Sequence, residues 1–170
     1  MAVRVFAFLF VLLLGAPAAA AEPGWTPFSN PEFNAAISFP GKPGFERQED
    51  TVNNVPVVRI IVNYDISADA GLVLWATRYE GGFSDQALAL KGAADAIANA
   101  NIVVSRTQIT VQGAPAEDMV LKARDGSYVL STLLLVKDDV LYQIMAVGTT
   151  ALPPETTAFR NSFVFLNAGG

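Results

Sequence analysis

"MVLKARDGSYVLSTLLLVKDDVLYQIMAVG", Met119 to Gly148, holds three apolar runs separated by two short polar stretches. The first stretch contains Asp125-Gly126, a favoured pair for a two-residue type I′ hairpin loop. The second is Asp138-Asp139, where aspartate suits a tight turn. The runs therefore read as three consecutive antiparallel strands. The turns set the register. Arg124 lies opposite Ser127, Leu121 opposite Leu130 and Met119 opposite Thr132. Lys137 lies opposite Val140, Leu135 opposite Tyr142 and Leu133 opposite Ile144. One face then carries Met119, Leu121, Leu134, Val136 and Leu141. The other carries Leu133, Leu135, Tyr142, Ile144 and Ala146. An antiparallel sheet with one wet face alternates apolar and polar residues. This one is apolar on both faces, so both need a cover.

Helices are available for that. "GGFSDQALALKGAADAIANAN", Gly81 to Asn101, changes to helical spacing, with Leu90, Ala93, Ala94 and Ile97 on one stripe. Ser84 is read as its N-cap, with Phe83 and Leu88 at staple spacing. A second helix is expected from about Pro154, with Ala158, Phe159 and Phe163 inward. Further strands are read at "AAISFP", at Val55–Asp65, at Leu72–Glu80 and in "IVVSRTQITV", the last bent in the middle. The stretch after Pro40 is read as a turn and then a loop to Val52. The expected fold is α+β: a central antiparallel sheet of about six strands with helices on both faces, an α/β/α sandwich.

The N-terminus has its own logic. Arg4, the apolar run Val5–Ala16 and the small residues up to Ala21 follow the order of a secretory signal peptide. Residues 1–21 are assigned to it, with cleavage after Ala21 or Ala20, and residues 22–170 to one domain. The apolar run is shorter than the roughly 20 residues a spanning helix needs. No stable membrane anchor is expected after cleavage, and the location is periplasmic or secreted. The whole chain has a formal charge of −5, and the leader removes only the positive Arg4. An acidic domain without a basic stripe is a poor nucleic-acid binder, so no nucleic-acid partner is expected.

Absences narrow the chemistry. The chain has no Cys and no His. Zinc sites built from those ligands are excluded, as are Ser-His-Asp and Cys-His nucleophile systems. Catalysis would have to use carboxylates, Lys, Tyr or a Ser-Lys pair.

Several motifs have features of a site. "FPGKPGFERQ", Phe39–Gln48, puts Gly41-Lys42 after a strand, as a phosphate loop would. Such a loop must open a helix, and Pro43 disfavours helix at Lys42. The stretch is read as a strand end. Glu117 and Asp118 are neighbours in a strand, so they point to opposite faces and share no site. The Asp65–Asp69 loop lacks the calcium-loop pattern. Asp138-Asp139, Glu117-Asp118 and Asp65–Asp69 are all read as solvated acids. Arg59, Arg78 and Trp75, on adjacent strands, could line an anionic-ligand pocket. The plainer reading gives the arginine stems to strand edges and Trp75 to a core contact. No catalytic, cofactor or metal residue is assigned.

Four stretches carry a resemblance: "FNAAISFPGKP" (Phe33–Pro43), "GAPAEDMVLKARDG" (Gly113–Gly126), "LYQIMAVG" (Leu141–Gly148) and "FRNSFVF" (Phe159–Phe165). Together they make the chain resemble small exported bacterial proteins and, through them, the PsbP-like superfamily. The resemblance implies an α/β/α sandwich and a role in binding partners rather than catalysis. Histidine ligands proposed for metal in photosynthetic members have no counterpart here. The expected function is thus an exported, non-enzymatic domain that binds an unidentified protein partner or supports an envelope assembly. The alternative is a binder of a small apolar or anionic ligand in a pocket near the sheet.

Overall fold

The three runs form strands whose side chains leave water on both sides. The computed structural model describes residues 22–166. The leader and its processing after Ala21 lie outside the described residues. In chain order the elements are β1 (Thr26–Asn30), β2 (Ala35–Phe39), β3 (Gly44–Val52), β4 (Val55–Ser67), β5 (Ala70–Tyr79), α1 (Gln86–Ala100), β6 (Ile102–Val111), β7 (Ala114–Lys122), β8 (Val129–Lys137), β9 (Val140–Gly148), α2 (Thr156–Asn161) and β10 (Val164–Phe165). A seven-stranded antiparallel sheet runs β3-β4-β5-β9-β8-β7-β6, and a three-stranded sheet runs β1-β2-β10. The large sheet has one strand more than expected, and the small sheet was not expected at all.

The register from the turns holds. Leu121 faces Leu130, Met119 faces Thr132, Leu135 faces Tyr142 and Leu133 faces Ile144. Both faces are buried, as their composition requires. On one side Met119, Leu121, Leu134 and Val136 pack with Leu90 and Ala94 of α1. On the other, Leu133, Leu135, Tyr142 and Ile144 pack with Phe33, Ile37 and Phe39 around the small sheet and with Phe159 of α2. The second cover is therefore mainly a sheet, with a helix of six residues beside it. Residues Ser131 to Val136 are all buried. Each fully buried Leu or Val there is worth roughly 1.5–3 kcal/mol over an exposed one.

Local details depart from the sequence reading where a short polar segment had two options. Asp85, not Ser84, caps α1: its carboxylate accepts the Leu88 N–H at 2.9 Å. Leu88 is 66% exposed, so no staple forms, and Phe83 packs on Tyr79 instead, with ring centroids 4.8 Å apart. The expected loop to Val52 is the edge strand β3. Its turn into β4 uses Asn53 and Asn54 at φ 50° and 65°, the left-handed pair a type I′ hairpin needs. Helix α2 starts at Thr156, two residues later than read, and Phe163 follows it as a buried residue outside the helix. After β9 the chain passes so close to Gly148 that a Cβ there would collide with the Ala151 carbonyl oxygen.

The Asp125-Gly126 loop also differs from the expected type I′ turn. Ala123 accepts the Gly126 N–H at 3.1 Å and donates to the Tyr128 carbonyl at 3.0 Å. Gly126 has φ 77°, and Asp125 has no positive φ. Asp125 is instead held by accepting the Ser127 N–H at 3.0 Å. The loop is longer than two residues, yet it keeps the same strand register because the residues are added symmetrically.

Gly126→Val should still destabilise the domain by roughly 1–3 kcal/mol, since a β-branched residue is strained at that φ. The exposed Lys42 supports no phosphate loop, so Lys42→Ala should change stability by less than about 0.5 kcal/mol. Urea melts of both variants check the pair; a larger loss for Lys42→Ala contradicts both readings.

Candidate functional site

The three residues weighed as one pocket divide between the two sheet faces. Pairing of β4 with β5 sets Arg59 opposite Thr77 and Val58 opposite Arg78. Arg59 therefore shares a face with Trp75, its guanidinium 5.0 Å from the indole centroid, and it pairs with Asp50 at 3.8 Å. Arg78 sits on the other face, 4.8 Å above the Phe33 ring, with Glu32 at 3.2 Å and Asp139 at 3.5 Å. Each guanidinium, carried on an inner strand, lies over an aromatic ring, so the plainer reading of stems on strand edges is not what forms, and Trp75 is partly exposed rather than in either buried cluster. A cleft of about 670 Å³ lies beside Arg78, but Glu49, Asp50, Glu80 and Asp139 also line it. An anionic ligand would meet those acids and would have to displace Arg78 from its partners.

Glu117 and Asp118 do point to opposite faces. Glu117 is not a solvated acid but a buried one, whereas Asp118 is partly exposed and ion-paired. Glu117 is 1% exposed and accepts from Arg106 Nε at 2.9 Å and Gln108 Nε2 at 3.1 Å. Arg106 reaches on to Asp95 of α1 at 2.7 Å, and Asp95 pairs with Lys91 one turn away. Asp118 pairs with Arg160 of α2 at 2.7 Å. Arg160 also donates to the buried Ser131 at 2.9 Å. One carboxylate is thus tied through Arg106 to α1, and its neighbour directly to α2. The hairpin register contained this signal. Gln112-Gly113 closes the β6–β7 turn and sets Gln108 opposite Glu117, with Arg106 diagonal to it on the same face.

The Arg106 hydrogen bond is the main cause that holds the Glu117 carboxyl below its ordinary pKa, against the opposing effect of burial. Charge-assisted bonds of this kind are shorter and stronger than neutral ones. The group stays an anion with its acceptors engaged, which suits a clip rather than an acid or base. The other two acidic pairs lie at the surface. Asp138 occupies the β8–β9 tip at φ 56°, Asp139 joins Arg78, and Asp65 and Asp69 are exposed. Tyr142, 1% exposed, donates its hydroxyl to the Phe33 carbonyl at 2.8 Å. Burial is the main cause pushing its phenol pKa up.

The surface feature with the most capacity for recognition is the β6 edge. Among the described residues seven large apolar side chains are exposed, and four of them, Ile102, Val103, Val104 and Ile109, are on this strand. Among the described residues β6 ends the sheet, and its outer row of N–H and C=O groups meets no neighbouring strand there. Its one charge, Arg106, is turned back to Glu117 and Asp95. The opposite edge, β3, carries Glu46, Arg47, Glu49 and Asp50, which is the usual protection of an edge. The strand's irregularity lies between Val103 and Ser105, nearer its start than the bend expected in its middle, and the sequence reading did not reveal that the strand is an edge.

The clip has a pH signature. A carboxyl whose folded pKa is depressed contributes stability above its unfolded pKa and loses it as pH falls through the folded value. For Glu117 the contribution is complete above about its ordinary 4.5 and fades below. Glu117→Gln should cost about 1–3 kcal/mol at neutral pH, the range for leaving a buried partner underused. That deficit should shrink as thermal melts are taken from pH 7 to pH 3. An unchanged deficit across that range contradicts the clip.

No family model matches the chain, and no curated protein matches it. Solved structures do, two of them as follows. One protein from Bacteroides thetaiotaomicron matches with a TM-score of 0.49 and 8% identity over 82% of this chain and 47% of its own. The chain thus spans about half the length of that protein. Cyanobacterial PsbP (CyanoP) from Synechocystis matches with a TM-score of 0.52 and 11% identity over 89% of this chain and 98% of its own. At that identity the likeness concerns the fold: the chain has a PsbP-like fold built on an antiparallel sheet.

Proposed function

We propose that this is an exported, non-enzymatic domain that binds a protein partner, or supports an envelope assembly, through the β6 edge. The observation that carries the reading is the concentration of exposed apolar groups on one edge strand whose single charge, Arg106, is turned inward. Edge strands recruit extended partner segments by main-chain hydrogen bonding, and alternate side chains add selectivity. The order of charge, apolar run and small residues before Ala21 supports export. The acid-lined cleft at Arg78 weighs against the alternative of an anionic or apolar small ligand. The same reading treats α1 on one face, with α2 and the small sheet on the other, as the α/β/α layering of PsbP-like proteins.

Photo-cross-linking in cells tests this. A benzophenone amino acid at Ile109 should give a heavier product containing a second protein, while the same group at Thr51 on β3 should give little. Equal yields at both edges, or none at Ile109, would contradict the assignment of β6 as the binding edge.

A further inference from the structure

One face of the large sheet is covered over only part of its width. We infer that the bare part, on the α1 side of β4, β5 and β9, seats a basic amphipathic helix of a partner protein, laid alongside α1. This surface is separate from the β6 edge, and the inference stands whether or not that edge binds.

Helix α1 lies over β6, β7 and β8. Register counted outward from Leu134, beneath the helix, places Gln143, Trp75 and Ile61 in one row on the same face. The next row runs from Thr132 through Met145 and Val73 to Asn63. Ile61, Val73, Trp75 and Met145 are half-buried and belong to neither apolar cluster. A sheet face meant for water carries polar residues at such positions. The Trp75 ring bears the Arg59 guanidinium on its face, 5.0 Å from the centroid. Trp and Arg are among the residues that dominate binding energy at interfaces.

Geometry selects a helix. Packed helices lie about 8–10 Å apart, and neighbouring strands about 4.8 Å apart. Two strand spacings from β8 lead to β5, which carries Val73 and Trp75. The flank of α1 toward this seat is built of small residues, Ala89, Gly92, Ala93 and Ala96. With Tyr79 and Leu141 they line an open cleft of about 610 Å³, and a Cβ added to Gly92 would meet nothing within 4 Å. An extended segment pressed flat on side chains would bury its own N–H and C=O groups without partners, whereas a helix pairs them internally. Charge selects the polar flanks of that helix. Glu46, opposite Ile61 on β3, and Glu80 and Asp85 at the cleft frame the seat. Arg59, the cation on this face of β4, is taken by Asp50. The frame is negative, and the whole chain has a formal charge of −5. Lysine and arginine on the incoming helix complement it, while an acidic segment or a second copy of this chain meets repulsion.

The probe is a synthetic peptide of about 18 residues, roughly 27 Å as a helix, with leucines at helical spacing and lysines elsewhere. It is titrated by nuclear magnetic resonance into protein purified after expression of the full-length chain. Binding should be saturable, shift the Trp75 indole N–H and the amides of Ile61, Val73 and Met145, and weaken as salt rises. A peptide of the same composition shuffled out of helical spacing, and a helical one with glutamate for lysine, should each bind at least about tenfold more weakly, equal to about 1.4 kcal/mol. Trp75→Ala should weaken the lysine peptide by a similar factor. So should Glu46→Lys/Glu80→Lys, at two exposed positions, which provides the comparison if Trp75→Ala melts early. Ile109→Lys on β6 should leave the affinity unchanged. No saturable binding, shifts centred on β6, equal binding of the shuffled peptide, or an affinity indifferent to Glu46→Lys/Glu80→Lys would overturn the inference.

Discussion

Burial of β8 on both faces is the constraint from which the rest of the structure follows. Ser131 to Val136 are buried without a break. An antiparallel strand of that kind cannot lie over water on either side. One side is closed by α1, through Leu90 and Ala94, and the other by the aromatic side chains of β2, β10 and α2. Neither cover is large enough to serve both faces. The domain therefore contains two apolar clusters divided by one sheet, and losing either cover would expose half of β8.

Adjacent carboxylates mark where the covers are fixed. Residues next to each other in a strand point to opposite faces. Glu117 therefore reaches Arg106 and α1, while Asp118 reaches Arg160 and α2. The buried member of this arrangement carries the larger risk, because a buried ion that loses its partner is costly. Arg106 limits that risk by engaging two acids at once. One consequence reaches the surface: the cation that could have protected the β6 edge is directed inward, and the edge is left neutral and apolar.

The central sheet was legible because tight turns act as rulers. Register counted from Asp125-Gly126 and Asp138-Asp139 assigned each inward residue from Met119 to Val147 to a face, and the observed clusters follow those faces. The count survived a misread turn type at Asp125, since the longer loop preserved the pairing. β3 was missed because "GFERQED" shows no apolar alternation, which an edge strand in water does not need. Its signal was the Asn53-Asn54 turn. The small sheet was missed because β10 has two residues, too few for any pattern. Glu117 was misjudged because an acid in a strand gives no local sign of burial. Only its cross-strand neighbours, Arg106 and Gln108, identify it. The separation of Arg59 from Arg78 was a matter of parity along β4 and β5, available once the β4–β5 register is counted.

Amide hydrogen exchange, read strand by strand by nuclear magnetic resonance, tests the two-cover account most directly. Protection scales with the free energy needed to open each segment. The account predicts that Ser131–Val136 exchange last, only on global unfolding, with β9 close behind. β3 and the outward amides of β6 should exchange far sooner. If β8 exchanges as fast as β3, the sheet is not closed on both faces and the account fails.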